Sequence, residues 1–243
     1  MKLFLRRLHS YLVGFNMCLF FGLLWLPLYY ASLKPGRYGM MIKLRRTWAF
    51  LSTFFAGIIF KFEHETPIDW SEPYVICPNH TSNLDTSMVS LLMKQEFSFM
   101  GKSELLDSVI TGIYFRTVDI PVNRESKMSS FRAFRAAEDR LKKGKSIIMF
   151  PEGGIANQYP PQLQEFKSGA FRLAIEQKVA IIPVSSINTW RILWDTGFKY
   201  GSRPGICRIY VHKPIPTHGL TVDDTNKLRD KVRNIIAGKT EKI

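Results

Sequence analysis

In "NHTSNLD", Asn79–Asp85, a histidine and an aspartate are separated by four residues, between the apolar run Tyr74–Cys77 and a helical pattern. A loop of that length lets the Asp85 carboxylate fold back and accept the proton of one His80 ring nitrogen, leaving the other nitrogen basic. That pair is the general-base half of a hydrolase triad without its nucleophile. Each residue also has a plain structural reading. Ser82 suits a helix N-cap with Asp85 at the N3 position, where the helix dipole favours a carboxylate, and His80 is then a polar strand-end residue. The sequence contains no G-x-S-x-G elbow, and Cys77 lies inside an apolar run. A base without an enzyme nucleophile suits direct attack by a substrate hydroxyl on an already activated acyl group.

The rest of the chain must position this pair. Apolar, β-rich runs occur at Tyr74–Cys77, Phe97–Met100, Asp119–Val122, Ser146–Phe150, Val179–Val184 and Ile206–Val211. Helical patterns lie between them at Leu84–Lys94, Glu104–Phe115, Phe131–Lys143 and Ser168–Gln177, and a final helix starts at the box "TVDD", Thr221–Asp224, and runs to about Ala237. Such alternation predicts an α/β domain with a mostly parallel mixed sheet flanked by helices. Sheets of this kind bind ligands beyond the carboxyl ends of their strands. Three polar stretches follow strands in that way: "PNHTSNLD", "PVNRES" and "PEGG".

In order and approximate spacing, "NHTSNLD" at Asn79–Asp85, "PVNR" at Pro121–Arg124, "FPEGG" at Phe150–Gly154 and "IIPV" at Ile181–Val184 resemble the four blocks of the glycerolipid acyltransferases, over roughly residues 45–215. Among these the chain is most similar in size to the bacterial lysophosphatidic acid acyltransferases. The resemblance implies His80 as base on an acceptor hydroxyl and Asp85 as its orienter. It also implies an acyl-CoA or acyl carrier protein thioester as co-substrate, no other cofactor and no metal. Arg124 and Lys102 would contact an acceptor phosphate, while Glu152 and Gly153 would shape the acceptor site. The family usually continues its third block F-P-E-G-T-R-S; here Gly154 and Ile155 stand where Thr and Arg are expected. Lys167 is then a candidate substitute for the missing cation, and the backbone amides of Gly153 and Gly154 are candidate anion donors.

Charge sets the front of the chain apart. Residues 1–62 carry nine Lys and Arg and no acid, so the net charge of +14 divides as +9 there and +5 in residues 63–243. Ser10–Leu33 is an uncharged run of 24 residues, and Thr47–Phe60 one of 14. The first is long enough to cross a hydrocarbon layer, while the second suits an interfacial or re-entrant helix. We therefore expect residues 1–62 to form membrane-anchoring helices at the cytoplasmic face of the cell membrane, monotopic, re-entrant or as a single span, and residues 63–243 to form the catalytic domain. Basic groups interleaved with apolar runs fit anionic lipid and not nucleic acid. Cys18, Cys77 and Cys207 are too scattered for a disulfide framework.

The expected function is acyl transfer from a thioester to the hydroxyl of lysophosphatidic acid, giving phosphatidic acid. Two alternatives are an acyltransferase for an amino-acid-containing lysolipid and a non-catalytic, basic membrane-surface binding protein.

Overall fold

The computed structural model describes residues 1–194 and 198–240. Three helices come first: α1 (Lys2–Leu23), α2 (Trp25–Ser32) and α3 (Tyr38–Phe54). There follow β1 (Ile58–His64), β2 (Val75–Pro78), α4 (Leu84–Leu92), β3 (Phe97–Lys102), α5 (Gly112–Phe115), β4 (Ile120–Val122), α6 (Lys127–Lys142) and β5 (Ser146–Ile148). The chain ends with α7 (Gly169–Gln177), β6 (Ile181–Ser186), α8 (Thr189–Ile192), β7 (Gly205–Val211) and α9 (Thr225–Thr240). The seven strands form one sheet in the order β1-β7-β6-β2-β5-β3-β4, in which only the β6–β7 pair is antiparallel.

Sequence type follows sheet position. Strands β2, β5 and β6 are central and buried at every residue, as unbroken apolar runs require when helices cover both faces. The edge strands differ. In β1, Lys61 and Glu63 alternate with apolar residues, and β4 carries Pro121; both features discourage pairing with a further strand.

Consecutive strand residues point to opposite faces and so feed two cores. Ile76, Ile148, Ile182, Val184 and Ile209 pack against Met88 of α4 and against Phe21, Leu28, Met41 and Ile42 of the first three helices. On the other face Val75, Cys77, Ile147 and Ile181 meet Ala133 and Ala137 of α6, Phe171 and Ala174 of α7, and Val232 and Ile236 of α9. The molecule is thus a three-layer sandwich in which α1–α3 supply part of one layer.

Two expectations change. The boundary placed after Phe62 falls inside β1, whose residues Ile58–His64 pair with β7; Gly57, at φ +67, ends the helical course, so the uncharged run 47–60 merges the end of α3 with the start of a strand. The helix expected over Glu104–Phe115 is a 3-10 turn at Ser103–Leu106, an irregular bend and the single turn α5. Polar side chains take the backbone partners that a helix would use. Ser108 Oγ accepts from Thr111 N at 3.2 Å, Thr111 Oγ1 donates to Leu105 O at 2.9 Å, and Arg116 Nη2 donates to Leu106 O at 2.6 Å.

Among the described residues no single helix is long and apolar enough to cross a membrane; the bent pair α1–α2, with a 56° break, passes that test together. The same helices leave Leu5, Leu8, Leu12, Phe15, Leu19, Leu26 and Tyr29 exposed. They are locked to the body from within. His9 bonds Ser202 Oγ at 2.6 Å and Ala56 O at 2.8 Å, and Trp48 Nε1 donates to Met17 O at 3.0 Å.

The firmest tie is Arg45 of α3. Its two terminal nitrogens reach the two carboxylate oxygens of Asp119 at 3.1 and 2.6 Å, with both side chains buried, and the guanidinium lies 4.2 Å from the Tyr114 ring centroid. Removing one member leaves an uncompensated buried charge. We expect Arg45→Ala to destabilise the fold by about 3–5 kcal/mol, and the double change Arg45→Met with Asp119→Leu to recover most of that loss, both read from urea unfolding midpoints. An Arg45→Ala protein as stable as wild type would show the pair to be dispensable.

Candidate active site

Residues from five parallel strands converge at their carboxyl ends. His80 leaves β2, Lys102 ends β3, Arg124 follows β4, and Glu152–Gly154 follow β5; Ser186 ends β6, and Asp85 is the second residue of α4. The resulting edge is where an open α/β sheet offers loops to a ligand.

Asp85 is fully buried. Its Oδ2 accepts from Thr81 N at 2.7 Å and from Ser82 N at 2.8 Å, and lies 3.1 Å from His80 Nδ1. Its Oδ1 faces the hydroxyls of Ser186 at 2.7 Å and Thr189 at 2.9 Å. The expected cap shifts by one residue: Asn83, not Ser82, is the N-cap of α4 and makes no side-chain cap bond, and Asp85 stands second in the helix and not at N3. It closes the helix start, with Ser82 Oγ accepting from Leu84 N at 3.0 Å, and it orients the imidazole. With a carboxylate on Nδ1, the tautomer assigned to the neutral ring carries its proton there, which makes Nε2 the basic nitrogen. The ring is fixed on its face as well: Phe150 stacks on it at 4.0 Å between centroids and 22° between planes. Asn79 stitches the two strand ends, donating from Nδ2 to Ser186 O at 3.1 Å and accepting from Ser186 N at 2.7 Å.

Glu152 supports the same loop from below. Its Oε1 accepts from His80 N at 2.6 Å and its Oε2 from Gln164 N at 2.8 Å. Burial pushes its carboxyl up to about 7, against the opposing effect of the two backbone donors. It does not line the site as a ligand group in this arrangement; it positions the backbone on which His80 stands.

The cations gather over the glycine turn. Arg124 Nη1 donates to Gly153 O. At φ +83 Gly153 adopts a left-handed conformation, and a Cβ built on it would lie 2.9 Å from Arg124 Nη1 and 3.0 Å from Lys167 Nζ. The backbone conformation favours glycine there, whereas the two side-chain ends could move aside for a Cβ. Gly154 O accepts from Gln164 Nε2 at 2.8 Å, which pins the turn to the segment before α7. Lys102 pairs in register with Val122 and, with Arg124, acts on Glu104. That carboxyl is lowered first by its own backbone N–H, then by the Ser103 hydroxyl, and further by the two cations. The expected site residues His80, Asp85, Arg124, Glu152, Gly153, Gly154 and Lys167 are thus contiguous through named contacts, and Lys102 sits on the same rim.

Sequence reasoning did not single out Asn79, Phe150, Ser186 and Thr189, although three of them lie inside or directly after quoted blocks. A signal existed for the last two: hydroxyls directly beyond the apolar run of β6, at the end where a sheet meets ligand. Neither buried thiol offers a nucleophile. Burial raises Cys77 well above the ordinary thiol range and pushes Cys207 up to about 12.

This arrangement has relatives. The solved structure of the 1-acyl-sn-glycerophosphate (LPA) acyltransferase PlsC from Thermotoga maritima matches with a TM-score of 0.79 at 19% identity, over 98% of this chain and 97% of that one, and so shares its fold. A 1-acyl-sn-glycerol-3-phosphate acyltransferase of Chlamydomonas reinhardtii is 30% identical over 194 residues, which cover 78% of this chain and 55% of that protein. An uncharacterized acyltransferase of Schizosaccharomyces pombe is 32% identical over 70% of this chain and 61% of its own length. Human 1-acyl-sn-glycerol-3-phosphate acyltransferase alpha is 31% identical over 68% of this chain and 57% of its own. The chain thus spans about half to three fifths of the length of these curated relatives. The family model described as Acyltransferase matches residues 59–187, just over half of the chain, and that stretch holds His80, Asp85, Arg124 and the glycine turn: the chain belongs to the acyltransferase family.

Proposed function

We propose that this protein is a 1-acylglycerol-3-phosphate O-acyltransferase, moving a fatty acyl group from a thioester to the free hydroxyl of lysophosphatidic acid to give phosphatidic acid. The observation that carries the reading is a half-buried His80 paired with the buried Asp85 and joined through Glu152 to a turn that two cations, Arg124 and Lys167, approach together. The names of the curated relatives from Chlamydomonas reinhardtii and human support the acceptor.

In this reading His80 Nε2 takes the proton of the acceptor hydroxyl as its oxygen attacks the thioester carbonyl. The tetrahedral adduct collapses, the C–S bond breaks, and the departing thiolate recovers the proton from the imidazolium, leaving an ester and a thiol. Asp85 holds the tautomer and stabilises the transient cation. The donor is a thioester of coenzyme A or of acyl carrier protein, and the reaction calls for no metal or further cofactor. Arg124, Lys167 and Lys102 hold the acceptor phosphate, with Gly153 and Gly154 shaping the turn beneath it. The exposed apolar face of α1 and α2 enters the cytoplasmic leaflet of the cell membrane, with the basic residues of the first 62 on anionic head groups.

One observation favours a second reading. Ile155 replaces an expected cation, and Glu104 stands beside Lys102 and Arg124, so the rim can also neutralise an ammonium, as in an amino-acid-containing lysolipid.

Replacing His80 by Ala should abolish thiol release, and Asp85→Asn should slow it by about 10³-fold or more, as when a triad loses its orienting carboxylate. Both comparisons require folded protein by circular dichroism. Wild-type turnover in His80→Ala would exclude His80 as the base, and an absence of thiol release from wild type would leave the binding-protein reading in its place. For Arg124→Ala we expect a loss on the order of 1.5–3 kcal/mol in kcat/KM, seen in the acceptor KM and not in that of the donor. If that variant uses lysophosphatidic acid unchanged, or wild type prefers a lyso-amino-acid lipid, the phosphate assignment fails. Glu152 gives a pH signature. Its folded pKa of about 7 lies above the ordinary 4.5, so its contribution to stability is fully present below 4.5 and is lost as pH rises to about 7. That loss is on the order of 3 kcal/mol. Urea midpoints measured across this window should fall with pH in wild type and flatten in Glu152→Gln; equal slopes would exclude the buried carboxyl as their source.

A further inference from the structure

Helix α6 carries two stripes. The inner one, Ala133, Ala137 and Leu141, packs on the sheet, and its small residues let the helix lie close. The outer one is Met128, Phe131, Arg132 and Arg135, spaced i, i+3, i+4 and i+7, so that all four share one exposed face. Met128 is 59% and Phe131 62% exposed. The inner stripe explains how α6 packs within the chain, whereas the outer one combines methionine, an aromatic ring and arginine, the residue types enriched where proteins meet one another.

The face is held firmly and begins at the site. Ser126 Oγ accepts from Ser129 N at 3.2 Å, and Ser129 Oγ accepts in turn from Asn123 N at 2.9 Å, which ties the first turn of α6 to the loop of Arg124. Arg124 donates to the Gly153 carbonyl, so the stripe starts four residues beyond a group of the catalytic rim and continues for about 10 Å along the helix. At its far end Arg135 donates to Glu138 Oε2 at 2.7 Å, and Glu138 Oε1 accepts from Gln177 Nε2 of α7 at 2.9 Å. The guanidinium is thus fixed in place while its side chain stays exposed.

Charge and shape select the partner. From Arg124 to Arg135 the sequence holds four cations and one acid, Glu125, so the face attracts negative charge. A convex helix surface with an apolar centre suits another protein, because small ligands are held in clefts. A lipid surface is the other occupant that such residues suit. Helices α1–α3 cover the side of the sheet opposite α6, so a bilayer that receives the outer face of α1 and α2 leaves this stripe toward water. The activated acyl group must reach the same rim, and one of its two carriers is itself a small protein with acidic helices beside the arm that bears the thioester.

We propose that Met128, Phe131, Arg132 and Arg135 dock an acidic acyl carrier protein, which makes the carrier-bound thioester a donor for this enzyme. This partner presupposes the acyl-transfer reading of His80, and the chemistry is unchanged: the C–S bond breaks, and the thiol released is the carrier's own. Coenzyme A has no protein surface to engage the stripe.

Two donors of one acyl chain, a bacterial palmitoyl-acyl carrier protein and palmitoyl-CoA, test this with lysophosphatidic acid and the full chain in neutral detergent. Thiol release from the carrier should show a KM raised about tenfold or more in Arg132→Glu and in Phe131→Ser, with palmitoyl-CoA kinetics as in wild type. Both side chains are exposed, so the variants keep the fold. Lys143→Glu, the same charge change at the other end of α6, should leave both donors unaffected. The docking surface is overturned if wild type takes acyl groups from CoA alone, if Arg132→Glu slows both donors equally, or if Lys143→Glu matches it. Binding separates the surface from acyl transfer itself. The anisotropy of a fluorescent acylated carrier should rise on adding the full chain and stay low with Arg132→Glu; if it does so while wild type releases thiol from neither donor, the surface stands and the acyl-transfer reading fails. No carrier binding by wild type overturns the surface whatever the result with CoA. If the two stripe variants instead weaken sedimentation with anionic vesicles and leave carrier binding intact, the face meets lipid and the proposal fails.

Discussion

A single buried carboxylate organises the chemistry of this molecule. Asp85 has no contact with water, so each of its lone pairs must be met from within the protein. Two backbone N–H groups of its own loop, one imidazole, and hydroxyls from the end of β6 and the start of α8 meet them. These partners come from β2, α4, β6 and α8, so the site cannot assemble until that half of the sheet has closed. The sheet in turn needs its central strands fully apolar to be covered on both faces. Packing and polar satisfaction thus reinforce one another here: the core fixes where the strands end, and the strand ends decide which groups Asp85 can reach.

The base is held from three directions, and each restraint acts on a different freedom. Asp85 fixes ring rotation through Nδ1, Phe150 fixes the ring plane, and Glu152 fixes the backbone N–H of His80. Phe150 is itself stacked on Phe99 at 6.3 Å and 4° between planes, and Phe99 N donates to Asp119, the partner of Arg45. A continuous set of contacts therefore runs from α3 to the imidazole. The first three helices belong to the same body as the base, for all that their outer face is apolar and exposed. Helices that cover a sheet on one side and present Leu, Phe and Tyr on the other are constrained twice, and the inward constraint is what places the outward one relative to the site.

Much of this was legible in the sequence, for identifiable reasons. All six apolar runs became strands, most plainly β2, β5 and β6, where cover on both faces leaves little room for polar residues, and the His-x-x-x-x-Asp spacing gave the pair directly. The Thr221–Asp224 box also forms as written, ahead of α9. What the sequence concealed was context. Strand β1 was hidden because a count of uncharged residues runs across Gly57 without registering its turn. The bend over 107–111 was hidden because Ser108, Thr111 and Arg116 satisfy the backbone by side-chain bonds that no periodicity reveals. Ser186 and Thr189 lie about a hundred positions from Asp85, and only the closure of the sheet brings them to its second oxygen.

Charge around the glycine turn is mixed in sign. Arg124 and Lys167 approach the same glycine turn, and Glu104 with Lys102 stands on the same rim, so the phosphate-binding candidates are not a bare cluster of cations. The loss of an arginine at position 155 lowers the charge on that side further. Charges act on one another here before salt screens them, at about 8–10 Å under ordinary conditions, so Glu104 tempers the two cations it stands beside and sets how much net positive charge an acceptor meets.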